Sequence, residues 1–394
     1  MSKKPSHEMT IHKRRPNNAK QRALLKSFTL ALAATALLAG GQTQSPAARW
    51  TQQRAATWYA QEPWLVGSNY IPSYAANELE MWQADTFNPQ RIDTELGWAE
   101  GIGMNTMRVF LHDLLWSQDK DGFQRRIDRF LEICARHKIR PVLVLFDSCW
   151  DPNPHLGKQP APRPGIHNSR WVQSPGAKAL ADPSQHPRLE AYVRGVVGAF
   201  ARDQRILAWD IWNEPDNTNN SSYGEQEPVN KVALVLALLP KAFAWARAEN
   251  PVQPLTSGVW QGDWANPATL QPMTKEQLEL SDITSFHAYV PPNAFEKRVQ
   301  SLEQYRRPLL CTEYMARPVK STFETILPVA KKYKVGAINW GFVQGKTQTN
   351  LPWDSWQRPY VYRPPAVWFH DIFYPDGRPY NPAEVAFIRQ ITAR

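Results

Sequence analysis

Pro141-Val-Leu-Val-Leu-Phe146 is an unbroken apolar run of strand length. A run of this kind is typical of a strand that is buried on both faces, as in a parallel sheet covered by helices. Seven other segments have the same character, and each ends in polar or aromatic residues. The eight predicted strands span residues 64–72, 104–111, 140–147, 206–215, 254–260, 282–290, 308–316 and 336–343.

The segments between these strands have helical periodicity. Residues 187–202 predict a helix that begins at a proline. The sequence Ser321-Thr-Phe-Glu324 has the form of a capping box and predicts a helix that ends near Tyr333. Residues 123–137 predict a third helix, because apolar side chains recur three or four positions apart at Phe123, Ile127, Phe130, Leu131 and Cys134.

Strands and helices alternate eight times over a chain of 394 residues. This order predicts the α/β class and a single-domain (β/α)8 TIM barrel over residues 61–394. A doubly wound open sheet is the competing architecture. Against it, no glycine-rich phosphate loop follows the first predicted strand, which contains Gly67-Ser-Asn-Tyr70.

The composition excludes a disordered chain and gives no sign of a nucleic-acid partner. Hydrophobic residues make up 42% of the sequence and charged residues 21%, which is enough to build a packed core. The net charge is +10, but residues 1–41 hold eight of the 46 basic residues and one of the 36 acidic ones. The remaining chain is therefore close to neutral and lacks a large positive field for phosphate backbones.

The amino terminus has the pattern of a secretory signal peptide. Basic residues at positions 13–26 precede an apolar run at 28–40, which ends in small residues. We expect a signal peptide over residues 1–41, a linker over 42–60, and a secreted or periplasmic protein with no membrane partner beyond the signal segment. An uncleaved membrane anchor is the alternative.

The three cysteines are too few and too widely spaced to form a disulfide framework or a zinc site. We expect Cys134, Cys149 and Cys311 to be buried thiols. No metal or other cofactor is expected.

Carboxylates and aromatic residues gather at the predicted strand ends, which meet at one face of a barrel. Strand 4 ends at Asn213-Glu214-Pro215, and strand 7 carries Glu313. Two acids on strands across a barrel mouth suit glycosidic cleavage, because one protonates the leaving oxygen and the other stabilises or attacks the sugar centre.

These acids, together with His287-Ala-Tyr289 on strand 6, resemble glycoside hydrolase clan A, and most closely its cellulase-like family 5. The resemblance covers about residues 60–390. It implies a retaining β-glycosidase that cleaves a β-glucan, mannan or xylan, as polysaccharide or oligosaccharide, through a glycosyl-enzyme. By the same resemblance, Glu214 is the general acid/base and Glu313 is the nucleophile. Further side chains would surround the sugar or the acids: Asn213 at the sugar 2-hydroxyl, Arg108 and Tyr289 beside Glu313, His287 near Glu214, and Trp340 beneath the sugar.

The expected roles require different proton affinities for the two acids. Arg108 should lower the pKa of Glu313 and keep it ionised. Apolar neighbours, expected to be Trp209 and Trp212, and the nearby negative charge should raise the pKa of Glu214.

One departure from the family concerns strand 3, where a histidine usually helps to hold the sugar. Here the strand ends Phe146-Asp-Ser-Cys-Trp150, and Asp147 or Ser148 could take that contact. Trp150 and Trp260 are candidate sugar platforms on mouth loops. Other aromatic or polar residues near the predicted mouth are weaker candidates: Trp116, Trp171, Trp264, Trp353, Trp356, Lys346 and Gln348.

Two other functions stay open at this point. A barrel that binds glycan without cleaving it is disfavoured because both glutamates are present. A metal-dependent barrel hydrolase would want His-x-His at the end of strand 1, where the sequence has none. We expect a monomer whose partner is a carbohydrate substrate.

Overall fold

The apolar runs form short parallel strands in which every residue is buried. The computed structural model describes residues 48–393. The strands are β1 Val66–Asn69, β2 Thr106–Phe110, β3 Val142–Asp147, β4 Ala208–Asn213, β5 Leu255–Thr256, β6 Thr284–His287, β7 Leu309–Glu313 and β8 Gly336–Asn339.

Helices fill the intervals between the strands, and one precedes the first strand. They are α1 Gln52–Ala60, α2 Glu78–Trp82, α3 Pro89–Gly101, α4 Asp113–Arg136, α5 Ala177–Ala181, α6 His186–Ala199, α7 Lys231–Ala248, α8 Pro272–Leu280, α9 Pro292–Glu303, α10 Phe323–Lys332 and α11 Pro382–Thr392.

The strands are ordered β5-β4-β3-β2-β1-β8-β7-β6, and all ladders between them are parallel. A single parallel bridge between Val259 and Phe286 joins the two end strands. The sheet therefore closes into a barrel. The prediction of a (β/α)8 barrel is confirmed, and the doubly wound alternative is wrong.

The predicted strands are longer than the observed ones, because apolar composition does not distinguish a strand from the loop that leaves it. In proportion to its length the difference is largest for β5, which keeps two paired residues of the predicted 254–260. The helix predicted over 123–137 begins earlier, at Asp113, and is kinked at Asp119. The capping box of α10 is also displaced: Thr322 caps the helix and pairs with Thr325 instead of Glu324.

The core has one layer between strands and helices and a separate apolar cluster at the base of the barrel. Helix α1 covers this base, since Trp50, Ala55 and Tyr59 pack against Val142 and Leu310 at the strand starts. The backbone N–H of Trp50 also donates to Asp282, at 2.8 Å. The expectation of a linker over 42–60 therefore does not hold from residue 49 onward, where the chain is part of the folded body.

The expected signal peptide lies outside the described residues. Within residues 48–393, no helix has the length and apolar character needed to cross a membrane. Cys134, Cys149 and Cys311 are buried free thiols, as predicted.

We expect Gly67→Ala to destabilise the barrel, because β1 and β2 approach too closely for a side chain. A Cβ at Gly67 would lie 2.0 Å from the carbonyl oxygen of Thr106. Relieving this overlap must move backbone, so we expect a loss of about 1–3 kcal/mol in the free energy of unfolding. Chemical denaturation measures it.

Gly101→Ala, at the end of α3, is the matched control. A Cβ there meets nothing within 4 Å, so this variant should be as stable as the wild type or more so. Equal stabilities for the two variants would contradict the tight strand contact.

Candidate active site

The carboxyl ends of the strands open into a cavity of about 470 Å³. Asn213 is the last residue of β4 and Glu214 follows it, while Glu313 ends β7. All three line the cavity, and the structure therefore brings the two predicted acids together.

Arg108, on β2, forms hydrogen bonds that position several side chains of the site. Its guanidinium is fully buried and donates to Asp210 at 2.9 Å, Glu313 at 2.9 Å, Asn213 at 2.7 Å and Asn69 at 3.0 Å. One cation on β2 thus joins side chains of β1, β4 and β7 across the interior of the barrel. Arg108 lies beside Glu313 as predicted.

Glu313 is held at both carboxylate oxygens. Arg108 donates to Oε1, and the Tyr289 hydroxyl donates to Oε2 at 2.8 Å. Burial and the nearby charge of Glu214 nevertheless raise the pKa of Glu313 above its ordinary value, since the Arg108 charge and the Tyr289 hydrogen bond offset them only in part. The expected lowering of this pKa is therefore wrong, because the effect of burial exceeds that of the Arg108 charge.

Among residues 48–393, Glu214 has no Arg or Lys partner. Oε2 accepts from Asn217 at 2.8 Å and from the Cys149 thiol at 3.3 Å, and Oε1 lies 2.8 Å from Nδ1 of His287. Its φ of 40° falls in the left-handed region, which costs a non-glycine residue about 1–3 kcal/mol. The backbone of Glu214 therefore adopts an unfavourable conformation at the point where the chain leaves β4.

Burial raises the pKa of Glu214 to about 7, and the charge of Asp216 adds to the shift. The predicted direction is confirmed, although the immediate neighbours differ from those expected. Trp209 and Trp212 belong to the main core cluster, and the contacts of Glu214 are Cys149, Asn217 and His287.

His287 bridges the two acids. Nδ1 lies 2.8 Å from Glu214 and 3.6 Å from Glu313. Burial lowers the pKa of His287 to about 4, so the imidazole is neutral near pH 7. The carboxylates are close, with an oxygen of each and a ring nitrogen of His287 all within 4.8 Å of one another.

Glu214, His287 and Glu313 are the described side chains that could hold a metal ion. Their surroundings oppose one, because the Arg108 cation already lies 2.9 Å from Glu313. Asn217 and Tyr289 occupy further carboxylate oxygens. The arrangement suits proton transfer and nucleophilic attack better than metal binding.

Aromatic side chains form the walls of the cavity. Trp340, Trp150, Trp260 and Trp353 all line it. Trp340 rests edge-on against Phe110, with 5.9 Å between ring centroids, and Trp150 stacks on Trp356 at 5.5 Å. Trp260 is fixed by a hydrogen bond from Nε1 to Asp216, at 2.5 Å.

Other predicted contacts lie outside the cavity. Asp147 is buried and accepts from Asn213 at 2.9 Å and from Trp171 at 2.7 Å, so it positions these side chains instead of reaching a sugar. Ser148 is buried and bonds to Trp212 and to the Pro215 carbonyl. Lys346 pairs with Glu80, and Gln348 ties loop carbonyls together. The remaining tryptophans of the prediction that do not line the cavity are Trp116, Trp171, Trp264 and Trp356.

Sequence reasoning missed several residues that line the cavity. Cys149 and Asn217 contact Glu214 directly, while His167 and Asn168 come from the long loop after β3. Residues 216–222 add a polar wall after β4. No spacing within these two loops indicates which of their side chains turn inward.

No protein-family model and no curated protein sequence matches the chain, but solved structures share its fold. The exo-β-1,4-mannosidase Op5Man5 from Opitutaceae bacterium strain TAV5 aligns with a TM-score of 0.54 and 17% identity, over 83% of this chain and 59% of its own. A variant of GH5_18 from Streptomyces cattleya, in complex with Manβ1-4GlcNAc, aligns at 0.54 and 13% identity, over 83% and 80%. The endo-β-1,4-mannanase from Thermotoga petrophila aligns at 0.54 and 13% identity, over 85% and 77%. At these identities the likeness establishes a shared (β/α)8 barrel, and the chain spans 59% of the mannosidase's length.

We expect two neighbours of Glu214 to move its pKa in opposite directions. Asn217→Ala removes a donor to the ionised carboxylate and should raise the pKa above about 7, whereas Asp216→Asn removes a negative charge and should lower it. A pH titration of ¹³C-labelled glutamate carboxyl signals by NMR measures both shifts.

Glu214→Gln identifies the signal, because that variant lacks it. Shifts of the same sign in Asn217→Ala and Asp216→Asn, or no shift in either, would contradict the assigned environment.

Proposed function

We propose that the chain is a retaining β-glycoside hydrolase related to family 5 of clan A, with Glu214 as general acid/base and Glu313 as nucleophile. The observation that carries the proposal is the approach of two differently held carboxylates to within 4.8 Å at the barrel mouth. Retaining enzymes place their carboxyl groups about 5–5.5 Å apart, whereas inverting enzymes need about 6.5–9.5 Å to admit a water molecule.

The surroundings of the two acids favour this division of roles. Glu313 accepts from a cation and a phenol, which both stabilise its ionised form. Glu214 has no cationic partner in the described part of the chain, and burial raises its pKa to about 7. The proton that the pair holds near neutral pH therefore resides preferentially on Glu214, as a general acid requires.

The reaction proceeds in two displacements. The Glu313 carboxylate attacks the anomeric carbon while Glu214 gives its proton to the leaving oxygen, and a glycosyl ester forms on Glu313. Glu214, now ionised, takes a proton from water, which attacks the anomeric carbon and releases Glu313. Both steps invert this carbon, so the product keeps the substrate's configuration.

β-Mannosides are the first substrates to assay. The names of the three structural neighbours refer to β-1,4-mannosidase or β-1,4-mannanase activity, or to a bound Manβ1-4GlcNAc. The full panel also includes β-glucan and xylan with matching aryl β-glycosides, scored by reducing sugar and aryl release. We also propose that the protein is exported, as its amino-terminal pattern suggests.

Azide rescue separates the roles of the two glutamates. Glu214→Ala should lose roughly 10²–10⁴ in rate on natural substrates and much less on aryl glycosides that need no proton. Azide should restore its turnover with a β-glycosyl azide product, because it attacks the glycosyl-enzyme. Glu313→Ala should fail on all substrates and, with azide, give the α-glycosyl azide. NMR of the products reports the configuration.

Glu384→Ala is the matched control, since it removes a buried glutamate paired with Arg317 outside the cavity. It should retain wild-type kcat even if its stability falls. Identical azide products from the two active-site variants, or inversion by the wild type, would refute the assignment.

We expect chelation to leave activity unchanged, because Arg108 supplies the positive charge beside Glu313. Dialysis against EDTA, followed by assay with and without added Zn²⁺ or Mg²⁺, measures this. Loss of activity that a metal restores would favour a metal-dependent hydrolase using Glu214, His287 and Glu313.

A further inference from the structure

The loop between β3 and α5 presents two adjacent polar side chains to the cavity. His167 and Asn168 both line it, yet 1% and 0% of their surfaces are exposed. Neither takes part in the two displacements proposed above.

His167 is fixed in one tautomer. Its Nδ1 lies 2.8 Å from the carbonyl oxygen of Leu351, which can only accept, so Nδ1 carries the proton. Burial lowers the pKa of His167 to about 4, and the ring is neutral near pH 7. Nε2 is therefore the acceptor nitrogen of the ring.

Asn168 has an unsatisfied side chain. Both its amide oxygen and its amide nitrogen are buried and lack a partner in the described part of the chain. Leaving such groups unpaired costs free energy. The residue also has a φ of 44°, which asparagine tolerates better than most residues.

Hydrogen bonds to several other residues fix the backbone of His167 and Asn168. The N–H of His167 donates to Ser355 at 3.0 Å, and its carbonyl accepts from Trp356 at 2.9 Å. The N–H of Asn168 donates to the Thr347 carbonyl at 2.8 Å. The two side chains are thus presented by a preformed segment.

We infer that His167 and Asn168 together bind two neighbouring hydroxyl groups of the sugar unit that lies beside the catalytic carboxylates. One hydroxyl donates to Nε2 of His167, and the other exchanges hydrogen bonds with the Asn168 amide. The Trp150 ring, 5.6 Å from the His167 ring, offers an apolar surface next to them. This inference rests on the proposed function and assigns the pair as a specificity determinant for a pyranose with adjacent free hydroxyls.

Asn168→Gly tests the pair, because glycine keeps the left-handed backbone and removes the amide. With 4-nitrophenyl β-mannopyranoside, or the aryl β-glycoside that the wild type cleaves best, KM should rise about 3- to 10-fold with kcat little changed. Asn250→Gly is the matched control, since Asn250 has a φ of 48° at an exposed position after α7. It should behave as the wild type.

Substrates that lack one hydroxyl identify the contact. Removal of the contacted hydroxyl should raise KM for the wild type and have no further effect on Asn168→Gly. His167→Phe, which keeps a ring but lacks the acceptor, should become insensitive to removal of the neighbouring hydroxyl. Thermal melts confirm that both variants fold, and binding of β-1,4-mannobiose to the same variants in the Glu313→Ala background is the second measurement.

The possible outcomes distinguish this inference from the proposed glycoside hydrolase function on which it rests. If the wild type cleaves glycosides but Asn168→Gly matches Asn250→Gly on every substrate, the pair does not bind sugar and the proposed function stands. If the wild type neither cleaves nor binds any β-glycoside of the panel, the proposed function fails and the inference fails with it.

Discussion

The buried guanidinium of Arg108 is the constraint on which the site depends. It lies inside the barrel and is shared among side chains of β1, β4 and β7, as well as belonging to β2 itself. This buried charge is tolerated because the guanidinium donates to acceptors on four side chains. Removing one partner of such a buried pair typically costs about 3–5 kcal/mol. The same contacts that stabilise this charge fix the positions of Asn213 and Glu313. Fold stability and site geometry therefore share one set of hydrogen bonds.

The chemistry proposed for the cavity depends on the different surroundings of two carboxyl groups, those of Glu214 and Glu313. Glu313 is bound by a cation and a phenol, whereas Glu214 is surrounded by a thiol, an amide and a neutral imidazole. Two carboxylates this close cannot both ionise readily, and the environment decides which one holds the proton. Burial raises the pKa of the Cys149 thiol, so the thiol stays protonated and acts as a weak donor to Glu214.

The sequence was sufficient for the parts that depend on strand periodicity. Strand periodicity predicted the barrel and placed Glu214 and Glu313 at its mouth, while the family resemblance supplied the places of Arg108, His287 and Tyr289 beside these acids. The failures lie where loops or burial decide the outcome. His167 and Asn168 reach the cavity through a loop conformation that no short-range pattern encodes. The pKa of Glu313 was predicted in the wrong direction because burial, together with the charge of Glu214, raises it more than Arg108 lowers it.

The closure of the barrel has a consequence for how the protein would lose its function on heating. Between β5 and β6 the backbone hydrogen bonds are few: Val259 donates to the Ser285 carbonyl, His287 to the Val259 carbonyl and Asp282 to the Leu255 carbonyl. We expect local opening of the sheet to begin at this seam, where the ladder is shortest. Because His287 forms one of these hydrogen bonds and also contacts Glu214, opening the seam displaces the imidazole that spans the two acids. Thermal inactivation and amide exchange at the seam would then be one event, which precedes the cooperative unfolding of the barrel.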